Sequence, residues 1–182
     1  MGTNKLLDFG CGKRKAPGSV GIDISPDTDA DVVHDLNKFP YPFKDSEFDA
    51  VKADNVMEHL DDLLKVMEEL HRVTRHGAEI KIIVPFFRSA YAFIDPTHRH
   101  FFTYRSFDYF DPESEFSKLY KYSRARFRVK RVVFDEDYAG TALDRLVSRF
   151  ANWKPVFYEL RLSALLPLST LTFYLETVKE GA

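Results

Sequence analysis

Asp8, Gly10 and Gly12 stand together in DFGCG, and Asp23 follows in GIDIS. A glycine-rich turn lets a ligand approach the backbone more closely than a β-carbon permits. An acid closing the next strand can accept hydrogen bonds from both hydroxyls of a ribose, so the pair describes a nucleoside-type cofactor at the carboxyl ends of parallel strands. The dinucleotide pattern G-x-G-x-x-G fails, because Lys15 occupies its third glycine position. Only Gly12 to Ser19 separate the two strands, which leaves no room for the helix whose N-terminus would hold a pyrophosphate. NAD and FAD are therefore disfavoured. Asp8 suits a cationic ligand better than an anionic diphosphate. Lys13, Arg14 and Lys15 read as a solvated loop tip, and Cys11 as a small turn residue rather than a nucleophile.

A second group lies in DPTHRHFFTY, Asp95 to Tyr104, which holds two of the six histidines. His98 and His100 are the candidate catalytic bases for an acceptor that must lose a proton. Asp95 and Tyr104, with His59 from MEHL, are candidate substrate contacts. The competing structural reading has Asp95 and Thr97 capping a turn and Phe101, Phe102 and Phe107 in the core. The Asp95, His98 and His100 spacing has no recognised metal signature, so no metal is expected. A third group, Lys118, Lys121, Arg124, Arg126, Arg128, Lys130 and Arg131 with Tyr120, Tyr122 and Phe127 interleaved, has the makings of a single-stranded RNA surface. Its alternation reads more strongly as the solvated face of an edge strand, where charge opposes edge-to-edge pairing.

The elements that position these residues follow from periodicity. Lys5–Phe9, Val20–Ile24, Asp31–His34, Phe48–Ala53 and Glu79–Val84 are short apolar or alternating runs bounded by turn formers, as strands are. Leu60, Leu63, Leu64, Met67, Leu70 and Val73 space as an amphipathic helix that Gly77 would stop. Strand, helix, strand is a parallel βαβ unit, so the sheet is expected to be mostly parallel. Arg126–Phe134 and Leu171–Lys179 read as an antiparallel closing pair. The connection between them carries two helical spacings, Leu143, Leu146, Val147, Phe150 and then Val156, Phe157, Leu160, Ala164, Leu165.

The 182 residues suffice for one core, and 26 Lys plus Arg against 28 Asp plus Glu give no overall field to attract nucleic acid or an acidic membrane. One cysteine rules out an internal disulfide framework, and no secretory leader precedes Leu6. Both features point to the cytoplasm. Glu159, Arg161 and Pro167 interrupt the longest apolar stretch, so no membrane span is expected.

DFGCG, GIDIS and VVHDLNKFPYPFKDSEFDAVKADNVMEHL, in this order, resemble the class I S-adenosylmethionine-dependent methyltransferases, closest to the small type-11-like group. The resemblance implies a Rossmann-like α/β three-layer sandwich with strand order 3-2-1-4-5-7-6. It implies that Asp8, Gly10 and Gly12 line the methionine end of S-adenosylmethionine and that Asp23, followed by Ile24, binds the ribose. Asp35 and Leu36 would border adenine, and Asp54 and Asn55 both cofactor and substrate, with S-adenosylhomocysteine as product. The expected function is methyl transfer to oxygen, nitrogen or carbon of a small-molecule or glycan-type acceptor. Its rivals are a non-catalytic cofactor-binding scaffold and an RNA methyltransferase. The chain departs from the family in lacking the helix between the first two strands. Residues 1–182 form one methyltransferase domain with an aromatic, helical insertion at about 135–170. That insertion is expected either to cover the sheet face left open or to form a homodimer contact.

Overall fold

The structure, a computed structural model, describes residues 4–137 and 140–179. The ends of the expected domain, and residues 138–139 of the expected insertion, lie outside the described residues. Seven strands, β1 (Leu6–Phe9), β2 (Val20–Asp23), β3 (Val32–Val33), β4 (Phe48–Asp54), β5 (Thr74–Pro85), β6 (Phe127–Phe134) and β7 (Thr170–Thr177), form one sheet in the order β3-β2-β1-β4-β5-β7-β6. The first five pair in parallel, and β7 runs antiparallel to both β5 and β6. This is the order the family resemblance implies. Leu7, Phe9, Ile22, Val51, Ile80, Ile82 and Val84 are buried together on one face of the sheet, while Lys52, Lys81 and Ile83 at the alternate positions are only half-buried, so one face is well covered and the other is more open.

Helix α1 (Leu63–Val73) begins where Asp62 accepts the Lys65 N–H, and it buries Val66, Met67, Leu70 and Val73 as one stripe. It ends at Thr74, not at Gly77. The Thr74 hydroxyl turns back to the Leu70 carbonyl, and β5 starts at once, with Gly77 at φ +77° within the strand. Arg72 at the end of α1 donates to Glu69, Asp45 and the carbonyls of Tyr41 and Phe43, tying the helix to the segment that enters β4.

The first parallel connection contains no helix, as expected. Three contacts replace it. Asp8, 2% exposed at the centre of β1, accepts the Ala16 N–H at 2.6 Å. The Lys15 stem lies on Gly21 of β2, where an added β-carbon would stand 2.6 Å from Cδ of Lys15 and 2.8 Å from Sγ of Cys11. Asp31 then holds both the Lys15 ammonium at 2.8 Å and the Gly21 N–H at 2.7 Å.

After β5 come α2 (Tyr91–Ile94) and α3 (Glu115–Leu119), and the long connection to β7 carries α4 (Ala142–Trp153) and α5 (Pro155–Phe157). The second helical spacing is realised as two pieces, because α5 gives way to a wide π turn over Tyr158–Leu162. This connection lies on the β6 side of the sheet. Ser148 and Asn152 bond to the Phe134 carbonyl, and the buried Tyr158 ring packs between Phe86 and Phe134. Cover for the cofactor-side face was one of its two expected roles, and that one is not realised, because β6 is the sheet edge opposite β3. Helix α4 packs Val147, Phe150 and Ala151 against the core and leaves Leu143 and Leu146 exposed.

Candidate functional site

The turn leaving β1 has the geometry its sequence demands. Gly10 sits at φ +70°, and a β-carbon there would lie 2.5 Å from Cγ2 and 2.8 Å from Cβ of Val56, so backbone and space both require glycine. Gly12, at φ +54°, faces open space. Its N–H donates to Oδ2 of Asp23 at 2.9 Å, while Oδ1 of Asp23 takes the Ser25 N–H at 3.0 Å. Each carboxylate oxygen of Asp23 keeps a lone pair for a further donor. Asp8, Gly10, Cys11, Gly12, Asp54 and Asn55 line a cleft of about 470 Å³ at the carboxyl ends of β1 and β4. That volume falls within the range of small-molecule sites.

Asn55 adopts the left-handed region at φ 51° and turns the chain out of β4, its N–H bonded to the Ile83 carbonyl at 2.9 Å and its amide to Asp54. Non-glycine residues held this way concentrate at binding sites. Burial, then Asp23 and Asp8, push the Cys11 thiol up, consistent with a turn residue and not a nucleophile. The remaining cofactor candidates lie apart from the cleft lining. Ile24 is exposed, and Asp35 accepts the Asn37 N–H and pairs with Lys38. Leu36 belongs to the core, its carbonyl taking the Tyr41 hydroxyl.

The histidine group comes together from two segments. Met57–His59 form a 3-10 turn just past Asn55, and the 95–100 loop is pinned to it because Arg99 and His100 both donate N–H to the Glu58 carbonyl. Thr97 caps the Asp95 turn, as expected, through its N–H and its hydroxyl. His59 meets His98 edge to face, with ring centroids 4.6 Å apart. Glu58, which sequence reasoning passed over, projects into this group with 1% exposure. Neither of its carboxylate oxygens has a hydrogen-bond partner, and Oε1 lies 4.0 Å from Nε2 of His98. Burial, augmented by Asp54 and Asp95, raises its carboxyl to about 7. The one sequence signal for Glu58 is an acid set among Val56, Met57 and Leu60. His100 is held nearby with its Nε2 buried and unpartnered. Tyr104 belongs elsewhere, stacked on Phe134 with its N–H on Glu159. Phe102 and Phe107 are core residues, whereas Phe101 is exposed and stacks on Phe93.

In the basic run, Arg128 and Lys130 pair with Glu176, and Arg131 pairs with Glu136 and lies over Tyr174. Those charges are spent on an edge strand. Among the described residues no helix is long and apolar enough to cross a membrane.

Residues 7–82 match the methyltransferase domain family Methyltransf_11. No curated protein matches the sequence. A S-adenosylmethionine-dependent methyltransferase from Archaeoglobus fulgidus superposes at TM-score 0.58 with 20% identity, over 96% of this chain and 86% of that one. A chain from the Haloferax volcanii complex containing the Trm112 methyltransferase activator gives TM-score 0.58 at 16% identity, over 97% and 83% of the two chains. The [4+2]-cyclase SpnF gives 0.57 at 16%, over 97% and 76%. At these identities the structural likenesses speak for the fold.

Proposed function

We propose that this chain, whose residues 7–82 match the methyltransferase domain family and whose sheet order is that of the class I S-adenosylmethionine-dependent methyltransferases, is such an enzyme of the type-11 group and methylates a nucleophilic atom of a small-molecule or glycan-type acceptor. Its cofactor is S-adenosylmethionine, which supplies a sulfonium methyl group open to in-line attack. The observation that carries the reading is the tight turn after β1, with Gly10 and Gly12 both at positive φ and Gly12 facing open space, beside a cleft lined by Asp8, Lys13, Arg14, Lys52, Asp54 and Asn55. Asp23 holds Gly12 in position and keeps acceptor capacity for a ribose.

Methyl transfer asks mainly for positioning, which a rigid strand-end turn supplies. On the acceptor side the proposed residues are His59 and Asp95 as contacts, with His98 and His100 as catalytic side chains touching the attacking atom. Convergence of His59, His98 and the Asp95 turn next to Asn55 supports His59 and Asp95 as contacts. The spent charges of β6 favour a small acceptor over RNA, and the near-neutral balance agrees. The exposed apolar residues Leu143, Leu146, Trp153 and Leu160 support a homodimer contact. A monomer at every practical concentration in light scattering counts against it. The cytoplasm is the proposed location.

Calorimetric titration with S-adenosylmethionine and S-adenosylhomocysteine tests the cofactor site. Micromolar binding, weakened at least about tenfold in Asp23→Ala, is expected for a lost charge-assisted hydrogen-bond acceptor. Binding without methyl transfer to any acceptor would leave a scaffold, or a different chemistry such as the cyclase named for one structural neighbour. His98→Ala and His100→Ala are expected to lower turnover far more than cofactor affinity, and unchanged turnover in both removes them from the mechanism.

A further inference from the structure

We propose that Glu58, His59 and His98 bind one divalent transition-metal ion. One donor atom from each lies within 4.8 Å of the others. Two histidines and one carboxylate form a donor set suited to zinc, manganese or iron, with positions left open for a substrate.

Both imidazoles are oriented for the task. The Thr97 hydroxyl spends its proton on Oδ1 of Asp95 at 2.7 Å, so toward Nδ1 of His59, 2.8 Å away, it acts as acceptor. The Ala92 carbonyl, 3.0 Å from Nδ1 of His98, can only accept. Each ring therefore carries its proton on Nδ1 and leaves Nε2 bare, the arrangement that outer partners impose on metal-binding histidines. The Glu58 carboxylate completes the set, since a buried carboxylate with no hydrogen-bond partner is costly unless a cation or a proton offsets it. A metal about 2.1 Å from each donor sets donor separations of roughly 3 to 3.5 Å, so the cluster closes by about an ångström on binding.

The inference stands on this geometry and not on methyl transfer. Its consequence rests on that reading: His98 would then act as a ligand and not as a base, and the open positions would take acceptor oxygens, with adjacent hydroxyls of a sugar ring filling two of them.

The test is titration of untagged, chelator-treated protein with Co2+ and with Zn2+ alone, followed by calorimetry and by the visible absorption of bound Co2+. One ion per chain is expected. Glu58→Gln and His98→Asn should weaken binding about 100-fold or more, and Thr97→Val about tenfold through the His59 ring. His76→Gln, at the far end of β5, should bind as the wild type does. Absence of binding by the wild type overturns the proposal whatever the variants do, as does equal affinity in Glu58→Gln and His98→Asn. Cofactor binding without metal binding overturns this inference alone, and metal binding without cofactor binding overturns only the methyl-transfer reading.

Discussion

Two glycines of one turn separate the cost of backbone strain from the cost of lost space. Gly10→Ala meets both a left-handed φ and the Val56 side chain, so it should destabilise the protein by about 1–3 kcal/mol and cost more than tenfold in cofactor affinity. Gly12→Ala meets only the φ, and about 1–2 kcal/mol is expected. Urea melts beside calorimetry check both, and equal losses would mean that Val56 yields freely. The tight turn at these glycines was legible in the sequence because its geometry is local to one strand–turn–strand unit, whereas the Asp8 bond to the Ala16 N–H was not. Nor was Glu58. Its burial depends on the 95–100 loop folding back across some forty residues of chain, a contact that no local spacing records. The tautomers of His59 and His98 were invisible for the same reason.

At the level of elements, the α1 clamp has a pH signature. Burial alone raises the Glu69 carboxyl, yet the Arg72 guanidinium and the Tyr41 N–H outweigh it and hold the group below its ordinary value. A depressed folded value means that the contribution is complete above the unfolded pKa of about 4.3 and is lost as pH falls through the lower folded value. Urea melts between pH 7 and pH 3 should show that acid loss, and Glu69→Gln should flatten it; an unchanged slope would exclude Glu69 as its source. Strand positions were legible from alternation and apolar runs. The α1 terminus was not, because Gly77 looks like a stop signal while the Thr74 hydroxyl, bonded to Leu70, ends the helix earlier. The split of the later helical spacing at Tyr158 was equally hidden, since its ring is held by a tertiary pocket around Phe86 and Phe134.

Across the whole molecule, β7 joins the parallel part of the sheet to β6, and its central Phe173 is fully buried against Phe107. Phe173→Ala should cost about 3–5 kcal/mol in urea unfolding, and a much smaller loss would show that the site collapses around the cavity. The same placement governs biosynthesis. As the chain leaves the ribosome, β1 to β5 can pair in turn, but β6 emerges with no strand beside it, because its one neighbour is the later β7. Until β7 follows, the outer edge of β5 and the whole of β6 carry open hydrogen-bonding groups, the condition in which a nascent chain recruits chaperones or pairs with its polysome neighbours. Closure of the sheet is thus a late event in translation, set by where one strand falls in the order.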